Sequence, residues 1–150
     1  MEGTYFSYTH NGKLSVALSP KVLDGGLRTP DPREDGATLT VADPANGQAE
    51  AIELPAKIWS RVGFNRYVYS NPNTKDGPCK DATPSARSVT AECTKLGFKL
   101  GNPQGAVTIG FQVGDADPLC ALFADPDVTV DDNKLFEAVN APANILCRVP

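Results

Sequence analysis

The chain holds one histidine, His10, one tryptophan and one methionine in 150 residues. A single imidazole excludes a metal site built from several histidines and leaves histidine-based acid–base catalysis to one position. His10 sits beside Asn11-Gly12, where a polar side chain is expected for turn geometry alone. Aromatic residues make up only 7% of the chain, which with the lone methionine argues against a long aliphatic bundle. No apolar run approaches the roughly 18 residues that a membrane-spanning helix needs. A G-x-S-x-G nucleophile elbow is missing, as are the C-x-x-C pairs of zinc and redox sites and any N-x-S/T acceptor. Basic charge is also scarce: 14 Lys and Arg against 18 Asp and Glu give a net charge of −4, which disfavours a nucleic-acid partner.

What is abundant is turn chemistry. Thirteen glycines and thirteen prolines exceed the average share of roughly 12% and imply many short elements. Asn11-Gly12 separates Thr4–Thr9 from Lys13–Leu18, which reads as a hairpin with both turn residues at positive φ. A second hairpin joins Thr38–Val41 to Glu50–Leu54 through Asp43-Pro44-Ala45-Asn46-Gly47. Pro55 suits the start of one helical turn. Phe64–Tyr69 and Arg87–Cys93 read as strands, Ser70–Pro84 as a polar loop, and Leu96, Phe98 and Leu100 as a period-two face. Val107, Ile109, Phe111 and Val113 alternate with Thr108, Gly110 and Gln112 in the clearest strand of the chain. Pro118–Phe123 reads as a further strand and Asn133–Val139 as the one short helix. The expected architecture is all-β: one domain over 1–150, an antiparallel β-sandwich, Ig-like or jelly-roll-like, of eight or nine short strands with one short helix.

The four cysteines, Cys79, Cys93, Cys120 and Cys147, allow three pairings. The sequential one, Cys79–Cys93 and Cys120–Cys147, closes the shortest loops and would contribute roughly 3 kcal/mol per bridge. Disulfides imply an oxidising compartment, secreted, extracellular or periplasmic. The chain opens without a basic segment and apolar run, so any signal peptide is expected to have been removed already.

Three features could carry a function. Asp125-Pro126-Asp127 to Asp131-Asp132 places oxygens at alternate positions, as a structural calcium site requires, with Asp125, Asp127 and Asp131 as ligands. The Asp115/Asp117 loop is a second candidate. The segment departs from a helix-loop-helix calcium loop at Val130 and Phe136, where Gly and a bidentate Glu would stand. Tyr67 and Tyr69 share one strand face; with Val68 inward they would point out and, with Trp59, could stack on a sugar ring. Paired carboxylates for glycoside hydrolysis would come from Glu50, Glu53 or Glu92, all read as solvent-side. Finally, the three successive fifty-residue segments carry −3, +4 and −5, a partition that could support self-association.

The succession Asp31-Pro32, Gly36-Ala37-Thr38-Leu39, Leu54-Pro55-Ala56, Trp59, Tyr67-Val68-Tyr69, Gly77-Pro78-Cys79-Lys80, Ala91-Glu92-Cys93, Cys120 and Cys147 resembles uncharacterised disulfide-bearing all-β domains of exported bacterial proteins. The resemblance implies a secreted β-module, often beside other extracellular domains, and assigns no functional residue. The expected function is a secreted, non-catalytic binding or accessory module for a surface glycan or cell-surface protein. The alternative is a structural subunit of an extracellular assembly or fibre, and the third a hydrolase of unknown class.

Overall fold

Period-two alternation sets the fold from its first strand. In β1 (Tyr5–Thr9), Phe6 and Tyr8 are buried while Tyr5, Ser7 and Thr9 stay partly open. The computed structural model describes residues 5–18, 32–45, 47–62, 66–71, 77–84, 89–101, 103–114, 119–124, 127–132 and 134–139. These form twelve strands in two sheets, with all paired strands antiparallel. After β1 come β2 (Leu14–Leu18), a helical turn α1 (Pro32–Asp35), β3 (Ala37–Ala42) and β4 (Ala49–Leu54). A 3-10 turn at Ala56–Ile58 leads to β5 (Trp59–Val62), followed by β6 (Arg66–Ser70), β7 (Cys79–Pro84) and β8 (Val89–Cys93). The last four are β9 (Ala106–Val113), β10 (Leu119–Ala124), β11 (Val128–Asp131) and β12 (Leu135–Val139).

The larger sheet runs β11-β12-β1-β2-β8-β7-β6-β5, and the smaller runs β10-β9-β3-β4. The core lies between them. Phe6 packs 5.2 Å from Phe123 of the small sheet and 5.8 Å from Phe136 of its own, centroid to centroid. Leu39, Val41, Val107, Ile109 and Phe111 supply the inward face of the small sheet. Such a two-layer, one-core arrangement is the all-β sandwich that the turn spacing implied.

Several local expectations need correction. Twelve strands stand among the described residues, against the eight or nine expected. Asn133–Val139 is not a helix: Leu135–Val139 is β12, paired with β1 on one side and β11 on the other. Phe136 and Ala138 are buried there at period two, so the open edge of β1, which no local pattern reveals, decided the segment. The short helix lies instead at Pro32–Asp35, ended by Gly36 at φ 70°, whose N–H bonds Pro32 O at 2.9 Å. The polar loop read over Ser70–Pro84 contains strand β7, which buries only Cys79 and Ala82 among its described side chains. Too little apolar alternation marked it.

The first hairpin is confirmed with a different turn. Thr9 N–H bonds Lys13 O and Gly12 N–H bonds Thr9 O, making a three-residue loop in which Gly12 sits at φ 81°. Among the described residues Lys95 is the only non-glycine at positive φ, so Asn11 keeps an ordinary conformation. Leu96 and Phe98 are buried as the period-two face required, but residues 96–100 belong to no strand. Bonds outside any ladder hold that segment instead: Leu96 N–H donates to Gly12 O at 3.0 Å, the Tyr8 hydroxyl donates to Phe98 O at 2.6 Å, and Gln48 bonds both the N–H and the O of Lys99. Burial, with Glu50 nearby, pushes the Tyr8 hydroxyl pKa up, so it remains a donor.

Candidate functional site

The sequence placed Trp59, Tyr67 and Tyr69 on an outward platform; the structure turns two of them inward. Trp59 and Tyr69 are register partners on β5 and β6, their rings 5.3 Å apart, and both are buried. The Trp59 indole N–H donates to Leu54 O at 3.1 Å, so its polar edge is satisfied inside the core. Tyr69 is inward because two aromatic rings bury far more apolar surface than Val68 would. Tyr67, half-buried on the same side, carries the Arg33 guanidinium 5.7 Å from its ring centre. The three do not form a sugar-stacking surface.

The acidic segment is also organised differently. Both carboxylate oxygens of Asp131 accept backbone N–H groups, from Gln104 at 2.7 Å and Gly105 at 2.8 Å. Gln104, buried, donates through its amide nitrogen to Asp43 at 2.8 Å and accepts from Gly101 N–H. Asp43 in turn accepts from Ala45 N–H at 2.8 Å. Asp43, Gln104 and Asp131 thus form a satisfied polar clamp between the β3–β4 turn, the approach to β9 and the end of β11. Asp127 fixes its turn through the backbone, donating to Ala124 O and accepting from Val139. Asp125, Asp115 and Asp117 lie outside the described residues. Among the described residues no three metal-binding side chains come together.

Cys79 and Cys93 form a disulfide between directly paired positions of β7 and β8, fully buried. The pairing expected for these two from loop length is the one found. Cys147 lies outside the described residues. His10 is exposed at the β1–β2 turn. Of the candidate carboxylates, Glu53 is exposed and Glu92 half-exposed on outward faces, whereas Glu50 shares the inward side of β4 with Ile52 and Leu54.

The feature that sequence inspection missed is a row on the outer face of the large sheet. Glu137 on β12 stands opposite Ser7 on β1, and Ser7 opposite Ser15 on β2. Ser15 then faces Glu92 on β8, Glu92 faces Asp81 on β7, and Asp81 faces Ser70 on β6. At the usual strand spacing the row spans roughly 24 Å. At its β12 end Tyr5 and Thr129 reach the Glu137 carboxylate through their hydroxyls, at 3.1 and 3.2 Å. Near the other end burial and the facing Glu92 raise the Asp81 pKa, while Lys80 partly opposes them. A bulge between Cys79 and Asp81 sets this pairing. Alternation alone shows that Ser7 and Ser15 point outward, but only register shows that all six residues line up.

No family model matches the chain, and no solved structure matches it. A segment of vacuolar protein sorting-associated protein 54 of Caenorhabditis elegans is 25% identical over 160 aligned positions, which take in 92% of this chain. The chain spans 15% of that protein's length. The likeness is therefore to a short stretch of a much longer protein. No helix among the described residues is long and apolar enough to cross a membrane.

Proposed function

We propose that this chain is a binding module of an oxidising compartment, and that it contacts a glycan through the outer face of its eight-stranded sheet. The observation that carries this reading is the registered row Glu137, Ser7, Ser15, Glu92, Asp81 and Ser70. Carboxylates accept hydrogen bonds and serine hydroxyls both donate and accept, the complement of a sugar's ring of hydroxyls. The row contains no lysine or arginine, so its acceptors are not neutralised within it. Tyr5, half-buried beside Glu137, adds an aromatic edge at one end. Asp81 and Glu92 directly opposite each other cost stability in the free protein; hydroxyl donors bound between them would relieve that cost. The buried Cys79–Cys93 bridge supports an oxidising location, secreted or periplasmic.

The test is binding to an immobilised glycan panel, followed by titration calorimetry with the soluble oligosaccharides that score. The Asp81→Asn/Glu92→Gln double variant should lose most of the affinity while melting no lower than the parent. Binding unchanged in that variant, or no glycan bound by the parent, rejects the proposal.

A further inference from the structure

Packing dictates the identity of Gly12 at the tip of the β1–β2 hairpin. It sits at φ 81°, and a Cβ there would lie 2.5 Å from Leu96 O and 2.6 Å from Leu96 N. A side chain is therefore excluded twice, by the backbone conformation and by a neighbouring backbone that cannot swing aside. At the second hairpin Gly47 also has a positive φ, 77°, but a Cβ there would meet nothing within 4 Å. Each of these glycines follows an asparagine. Asn11 is exposed.

Asparagine is thermolabile, most of all before glycine, whose nitrogen no side chain shields. That nitrogen attacks the asparagine Cγ: the N–Cγ bond forms, the Cγ–Nδ2 bond breaks, and Nδ2 leaves with the amide proton as ammonia. Water then opens the resulting five-membered imide. Attack at Cγ gives aspartate; attack at the main-chain carbonyl gives isoaspartate, in which the backbone runs through the former side chain.

The folded tip opposes the first step. Gly12 N–H donates to Thr9 O at 2.9 Å, so its proton is held. With that bond and no positive φ at His10 or Asn11, residues 9–12 form a type I turn, which sets the Asn11 ψ at about 0°. At that angle the Gly12 nitrogen eclipses the nitrogen of Asn11 itself and is turned away from its side chain. The tip also excludes the rearranged product. Isoaspartate at position 11 adds a backbone atom inside a loop closed by Thr9 N–H to Lys13 O at 3.0 Å. It would displace Gly12, whose O accepts Leu96 N–H at 3.0 Å and which has no free space on that side.

We propose that Asn11 is a site of spontaneous deamidation to isoaspartate, that the closed tip keeps folded chains unmodified, and that a modified chain cannot close the tip again. Conversion at position 11 would then mark chains that have opened there.

The purified protein, its disulfide intact, is aged at mildly alkaline pH in native buffer and in concentrated urea, then digested and its peptides separated. Asn11 and Asn46 should both convert in urea. In native buffer conversion of Asn11 should be roughly tenfold slower or more, because only opened tips react. Chains converted to isoaspartate at position 11 alone, returned to native buffer, should melt lower than unconverted chains taken through the same treatment. Their amides at Gly12, Lys13 and Leu96 should exchange faster. Asn11→Asp, which carries the product's charge on an ordinary backbone, should melt like the parent. Equal rates in native buffer and urea overturn the proposal, as does an Asn11 that survives urea while Asn46 converts. An isoaspartyl chain that melts and exchanges like the parent overturns it too, and so does an Asn11→Asp variant that melts as low as the isoaspartyl chain, since charge alone would then explain the loss.

Discussion

The two sheets are joined in two chemically different places, and the contrast separates what gives stability from what gives position. At the centre, Phe6 meets Phe123 across the layers and Phe136 beside it, with the Tyr8 ring 6.5 Å away. That contact is non-directional and scales with buried area. At one end, Asp43, Gln104 and Asp131 join three chain segments through hydrogen bonds of 2.7–2.8 Å. A satisfied polar network that is partly buried adds less net free energy but fixes geometry, because each misplaced group is left unpaired.

The largest effect should come from breaking the aromatic centre. Phe6→Ala, which removes a fully buried ring from between the sheets, is expected to cost about 3–5 kcal/mol in denaturant unfolding. A loss below 1 kcal/mol would mean that the two sheets hold together without it. Breaking the polar clamp should cost less: Gln104→Ala strands Asp43 and the Gly101 N–H and is expected to lose roughly 1–3 kcal/mol. It should also speed amide exchange at Gly101 and Gly105 more than at Val107 and Ile109. Uniform acceleration across β9 would instead show that the clamp and the core unfold as one unit.

The smallest effect sharpens the comparison on the outer face, where the charges are only partly withdrawn from water. Asp81 is held above its ordinary value of 3.8 by burial and by Glu92. A carboxyl whose folded pKa is raised binds its proton more tightly in the folded state, so this pair's repulsion weakens stability at neutral pH and is relieved as pH falls through the folded pKa. Asp132 works in the opposite sense. Its carboxylate accepts the Lys134 and Leu135 N–H groups, which lower its pKa, so its contribution is present at neutral pH and lost in acid. Asp81→Asn should therefore raise the melting point slightly at pH 7 and have less effect near pH 4. A variant less stable than the parent at neutral pH would show that Asp81 is held by attraction rather than repulsion.

Much of the fold was legible where local chemistry and period agreed. Asn11-Gly12 and Asp43 to Gly47 mark both early hairpins, and Ala106–Val113 alternates throughout. Legibility failed where a segment is too short or too polar to choose by itself. In Leu135-Phe136-Glu137-Ala138-Val139, Phe136 and Val139 suit a helical face as well as Phe136 and Ala138 suit a strand. In β7 the inward positions Cys79 and Ala82 are small. Tyr67-Val68-Tyr69 alternates clearly, yet alternation does not say which side is the core, and the aromatic rings took it.

The sequence by itself determined that this protein is all-β and that Ser7 and Ser15 lie opposite the apolar residues of their strands, and it favoured the Cys79–Cys93 loop among three pairings. These follow from interactions within a few residues or from a short loop. Only the tertiary structure decided that Asp131 binds two backbone amides, that Trp59 and Tyr69 are core, and that Glu137, Ser7, Ser15, Glu92, Asp81 and Ser70 form one row. Each of those depends on which face of a strand turns to the core or on segments brought together from elsewhere in the chain, and these are fixed only when the strands pair and bury a shared face.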